Sequence, residues 1–163
     1  MDIRRMKVWL LGMATDDPVP FDPQAHRPDC LCLSAKGEDR LEERIASLRS
    51  VLPSLPIFLI CEPISKAYNV DDFSRAARAS PDGIILRGVE SAARIQMAET
   101  LLRVVEAREE LEEGSIALIA MIGDNGGGLL NARHFLHRHR RLIALGYDGD
   151  ALEPADGEIA RQG

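Results

Sequence analysis

The run Asp82-Gly83-Ile84-Ile85-Leu86-Arg87-Gly88-Val89-Glu90-Ser91 is a short apolar strand that passes through a polar turn into a helix. About thirty residues later Leu118-Ile119-Ala120-Met121-Ile122 does the same through a glycine-rich turn. Strands that are apolar on both faces and feed directly into helices are the repeating unit of a parallel α/β sheet, because parallel neighbours need a crossover and the crossover helix covers the sheet. Ligands of such sheets gather at the carboxyl ends of the strands. A site in this chain therefore belongs beside residues 87–91 and 123–128.

Apolar runs bounded by turn residues predict six strands, near 7–13, 30–34, 57–61, 83–87, 116–122 and 142–147. Helical spacing predicts helices over about 38–52, 70–80, 91–112 and 129–140. The second opens with Asn69 as N-cap and carries Asp71 and Asp72 in its first turn, where carboxylates favour the helix dipole. The third opens at Ser91, and its Ile95, Ala98, Leu101, Leu102 and Val105 form the stripe that faces a sheet. Residues 14–29, with four prolines and four aspartates, read as an irregular loop. No repeat or linker divides the chain, so residues 1–152 form one domain and 153–163 a polar tail.

Strand and helix alternation leaves an open doubly wound sheet or a (β/α) barrel. A closed eight-stranded barrel takes roughly 200–250 residues, and this chain has 163, so length alone favours the open sheet. With 45% hydrophobic residues the chain can bury a full core, and its net charge of −6 argues against nucleic acid as a partner. No apolar run is long enough to span a membrane and the N-terminus lacks a signal-like apolar core, so the expectation is a cytoplasmic protein without membrane partners. Cys30, Cys32 and Cys61 lie in strand-like runs and read as buried thiols, the first two on one strand face.

Four segments carry a resemblance: 82–91; Gly114-Ser115-Ile116 leading into 118–122; Gly128-Leu129-Leu130-Asn131-Ala132; and Arg141-Leu142 with Ala144-Leu145. In order and spacing, from Pro56 to Leu152, the chain resembles the citrate lyase β-chain and HpcH/HpaI aldolase superfamily. The resemblance implies a TIM-barrel type of fold, here incomplete with about six strands, and a homo-oligomer. It also implies Mg²⁺-dependent cleavage or formation of carbon–carbon bonds in a 2-oxo acid or CoA thioester. In that chemistry a divalent ion polarises the 2-oxo group and holds the enolate, with an arginine as second positive charge.

The site that the resemblance implies is largely replaced. Ile60 stands where the family's arginine falls and Gly88 where its lysine falls, while Arg87 is offset by one residue. Gly123 and Ala151 stand at the two metal-binding carboxylates, with Asp124 and Asp150 as shifted candidates. The family's acidic motif after the second strand reads Ser34-Ala35-Lys36-Gly37-Glu38-Asp39. The candidate site is thus Arg87 and Glu90 for catalysis, Asp124 and Asp150 for metal, and Gly126, Gly127 and Gly128 as the seat of a substrate carboxylate. Two readings follow: a relative with impaired or lost catalysis, or an active lyase built on the shifted carboxylates. His134 and His137, in the basic run 133–141, could share a helical face for a metal, but basic residues at a helix end also answer the dipole.

Overall fold

Among the described residues there are six strands and four helices, close to the predicted positions, with a helix following each strand from the second to the fifth. The computed structural model describes residues 9–12, 28–37, 39–64, 67–122, 126–135 and 139–147. The elements run β1 (Trp9–Gly12), β2 (Cys30–Ser34), α1 (Leu41–Val51), β3 (Ile57–Cys61), α2 (Ala67–Arg78), β4 (Gly83–Leu86), α3 (Ala92–Arg108), β5 (Ala117–Met121), α4 (Gly126–Asn131) and β6 (Leu142–Gly146). A single 3₁₀ turn, Ala132–His134, extends α4.

All the pairings are parallel, and the strands lie side by side in chain order. A doubly wound sheet reverses direction at a switch point, and this sheet has none, so of the two expected architectures it takes the barrel-type winding. Layering agrees. Leu31, Leu33, Ile57, Leu59, Ile84, Leu86, Leu118 and Ala120 alternate onto one face and form a single core with Leu41 and Ile45 of α1, Phe73 and Ala76 of α2, and Ile95, Ala98 and Leu102 of α3. The opposite face carries Cys30, Cys32, Phe58, Ile85 and Ile119, with Ile60, Met121 and Ala144 packed against them and no helix residue in the cluster. Helices on one side only make an arc of a barrel wall, with an outer layer and an inner one.

The arc is open, since β1 and β6 each pair with one neighbour among the described residues. A register shift beside Leu118 leaves Ile143 as an extra residue in β6, 37% exposed. Such a bulge on an edge strand bends it away from further pairing.

Two helix predictions are corrected. α2 begins at Ala67, so Asn69 lies inside it and its first turn holds no acidic residue. Burial of Phe73, Ala76 and Ala77 in the outer layer sets the helix position, overriding the capping preference of Asn69. The fourth helix spans 126–131 rather than 129–140. The three glycines form its first turn instead of preceding it, and the basic run leaves the helix because Phe135 and Arg141 are both drawn into the interior. Ser91 does precede α3, in extended conformation, but its hydroxyl makes no capping hydrogen bond.

Candidate functional site

Arg87 follows β4 directly and is half-buried; its N–H donates to the carbonyl of Cys61 at 3.0 Å, so the β3–β4 ladder runs one residue beyond the strand. Gly83 and Ile85 of β4 face the inner layer, Ile85 within its apolar cluster and Gly83 against the ring of Phe58. Gly88 then breaks the strand with φ 62°, and a Cβ there would run into Cγ of Pro63 and lie 3.0 Å from its Cβ. A lysine at this position would need both a left-handed backbone and a displaced proline. The family's lysine is therefore excluded by the local fold.

Val89 is fully buried and its N–H donates to Met121 at 3.1 Å, while the carbonyl of Glu90 accepts from Nδ2 of Asn131 at 3.0 Å. These bonds stitch the carboxyl ends of β4 and β5 to α4. The Glu90 residue itself is exposed. Gly126 and Gly127 are exposed, and a Cβ on Gly126 would meet open space. Gly128 is buried, where a Cβ would lie 2.5 Å from the Ile122 carbonyl oxygen and 2.6 Å from that of Val89. Its glycine lets α4 sit directly on the two strand ends.

Arg87, Glu90 and Gly126–Gly128 are thus all at the carboxyl ends of β4 and β5. Asp124 and Asp150, like Gly123, Ala151 and His137, lie outside the described residues. Ile60, in the arginine position, is half-buried against the inner apolar cluster. His134 accepts from Nε of its neighbour Arg133 at 3.2 Å, on the 3₁₀ turn rather than on a long helix. Among the described residues no group of three or more His, Cys, Asp or Glu side chains is placed to hold a metal ion. Among the described residues, Ile60 and Gly88 leave no cation at the positions of the arginine and lysine that the resemblance implies, and the positions of its two metal carboxylates lie outside them.

A shallow cleft opens at the carboxyl ends of β2 and β3, lined by Ala35, Lys36, Cys61, Glu62, Asp72 and Phe73. It lies on the helix side of the sheet, beneath α2. Burial pushes the Cys61 thiol up to about 12, so it stays protonated at neutral pH and is no nucleophile. Asp72 pairs with Arg75 at 2.8 Å.

Sequence reasoning missed a buried polar network at the other end of the sheet. Glu106 of α3, 1% exposed, takes both guanidinium nitrogens of Arg141 at 2.5 Å and accepts the backbone N–H groups of Gly114 at 3.1 Å and Ile116 at 3.2 Å. Glu99, one face along α3, accepts from the Arg141 N–H at 3.4 Å and bonds Nδ1 of His139 at 2.9 Å. Burial raises the Glu106 carboxyl, but Arg141 and the two amides outweigh it and hold the group below its ordinary value. The network locks the entry to β6 against α3 at the amino ends of the strands, where barrel folds keep their stabilising contacts. A signal was present: Glu99 and Glu106 occupy the same stripe as Ile95, Ala98, Leu102 and Val105.

No protein-family model matches the chain, and no curated protein matches it either. Solved structures do. RipC from Yersinia pestis superposes with a TM-score of 0.63 at 18% identity, over 92% of this chain and 61% of that one. Haloferax volcanii malate synthase, as its pyruvate/acetyl-CoA ternary complex, gives a TM-score of 0.66 at 15% identity, over 86% of this chain and 47% of that one. Its magnesium/glyoxylate complex gives 0.61 at 15% identity, over 80% and 47%. The chain thus has a partial TIM-barrel type of α/β fold, spanning about half to three-fifths of the length of these structures. No helix among the described residues is long and apolar enough to cross a membrane.

Proposed function

We propose that this chain is a divergent scaffold of the citrate lyase β-like and HpcH/HpaI class, in which carbon–carbon bond chemistry is impaired or lost. One observation carries the reading: the positions of the two expected cations are Ile60, packed into an apolar layer, and Gly88, held by Pro63 and a left-handed backbone. Structures of the same fold bind pyruvate with acetyl-CoA, and magnesium with glyoxylate, which is the substrate chemistry the resemblance implies. For this chain a 2-oxo acid would have to be polarised without those two cations. Removing one preorganised donor from such a site costs about 10²–10³ in rate, and two losses compound. Self-association through the open edge of β1 belongs to the same reading and would use the scaffold without its chemistry.

Titration calorimetry of the full chain with Mg²⁺, alone and with pyruvate or oxaloacetate, tests this. The expected result is no saturable heat in any combination. Saturable Mg²⁺ binding that tightens with the 2-oxo acid and disappears in Asp124→Ala or Asp150→Ala would establish the other reading, an active lyase on shifted carboxylates.

A further inference from the structure

α3 is apolar on two faces. Ile95, Ala98, Leu102 and Val105 are buried in the core, while Ala93, Met97, Thr100, Val104 and Ala107 are exposed, Met97 at 39% and Val104 at 59%. The outer five recur at steps of four, three, four and three residues, the spacing that keeps one seam of a helix turned toward a second helix. The Thr100 hydroxyl donates to the Gln96 carbonyl at 2.9 Å, so covering the seam would leave no hydroxyl unpaired. The other long helices differ. The exposed positions of α1 include Glu42, Glu43, Ser47 and Ser50, and those of α2 include Asp71, Asp72 and Arg78. A helix that is apolar all round is ordinarily enclosed, yet this side of α3 is open to solvent.

We propose that this seam is an interface between two copies of the chain, with their α3 helices packed antiparallel about a two-fold axis at Thr100. Pattern and charge select this occupant and this direction. Reversed against itself, the seam sets Ala93 against Ala107, Met97 against Val104 and Thr100 against Thr100, as an isologous contact requires. Small residues at both ends let the two helices close along all 17 residues, about 25 Å. Antiparallel packing also opposes the helix dipoles. It carries Arg108, exposed in the last turn, to the end of the other helix where Glu90 is exposed, and it sets the exposed Arg103 beside uncharged Gln96. Arg94, on the same flank, donates inward to the Ile64 carbonyl. A parallel pair would instead set Arg103 against Arg108 across the seam, like charge on like. One helix pair is small by the standard of stable interfaces, so the dimer is expected to be reversible, with a Kd in the micromolar range. This inference rests on α3 alone, independently of the lost chemistry and of the β1 edge.

Sedimentation equilibrium of the full chain across the micromolar range tests this, with thermal melting as the control for folding. A monomer–dimer equilibrium is expected. Val104→Glu should weaken it at least about 30-fold, because the two-fold axis places the substitution in the interface twice. Its melting temperature should change little, since Val104 is exposed within one chain. Where Val104→Glu fails to melt cooperatively, Met97→Glu replaces it. Mild oxidation of Thr100→Cys should give a disulfide-linked dimer, whereas Ala93→Cys should link only when mixed with Ala107→Cys. The three native thiols are buried and stay in every variant. A monomer at every concentration, an association that Val104→Glu and Met97→Glu leave intact, as contact through the β1 edge alone would, or self-linking of Ala93→Cys would overturn the proposal.

Discussion

Arg141→Ala is expected to destabilise the fold by about 3–5 kcal/mol, because it leaves the carboxylate of Glu106 buried without its counter-charge. Both partners are enclosed, with side-chain exposures of 7% and 1%. For a domain of this size the loss corresponds to a melting temperature lower by roughly 6–20 °C. The same loss is expected for Glu106→Ala, which abandons the guanidinium and two backbone N–H groups together. The Arg141→Met, Glu106→Leu double variant should recover only part of it: the charges go, but the amides of Gly114 and Ile116 still lack an acceptor. The pH dependence has a fixed sign. Glu106 titrates below its ordinary value in the fold, so its stabilisation is complete above the unfolded carboxylate range and is lost as pH falls through the lowered folded value. Urea denaturation across pH 3 to 7, on an order-of-magnitude scale set by carboxylate titration, should show this acid loss in the parent. In Arg141→Ala the acid loss should be shallower. An Arg141→Ala variant as stable as the parent would remove the network from any structural role.

Phe58→Ala is expected to cost a further about 3–5 kcal/mol, the usual penalty for emptying a fully buried aromatic site. Phe58 is 0% exposed and pairs in register with Cys32 on one side and Gly83 on the other. The result bears on function as well as stability. If the inner face of the arc were a wetted, ligand-lined lumen, truncating Phe58 would cost little, since solvent would replace the ring. A large loss with an unchanged denaturant slope identifies that face as packed interior. A loss under about 1 kcal/mol would contradict it.

The fold was legible because its signal is local and repeated. Each of the six apolar runs is bounded by turn residues, and each became a strand within two or three residues of its expected ends. The barrel-type winding was not legible from periodicity, which is the same for both architectures; it needed strand order and the one-sided distribution of helices. Asn69 misled because capping preference is weak beside burial of Phe73 and its neighbours. The basic run 133–141 misled for a related reason: its pattern is helical, but Arg141 is held by a glutamate thirty-five residues earlier. Such long-range pairing leaves no local trace in the basic run. At the site, sequence located Arg87, Glu90 and the glycines at the ends of β4 and β5, as found. It did not reveal that Gly88 and Gly128 are glycines for steric reasons, because Pro63 and the carbonyls of Val89 and Ile122 approach them only in the fold.

Exchange of the methyl protons of pyruvate in deuterated buffer with Mg²⁺, followed by proton NMR, asks most directly whether an enolate-stabilising site survives. A methyl signal that fades no faster with the chain than in buffer alone is the predicted result. Exchange that the chain accelerates, that requires Mg²⁺ and that disappears in Asp124→Ala and Asp150→Ala would contradict the loss of chemistry and restore a working lyase site.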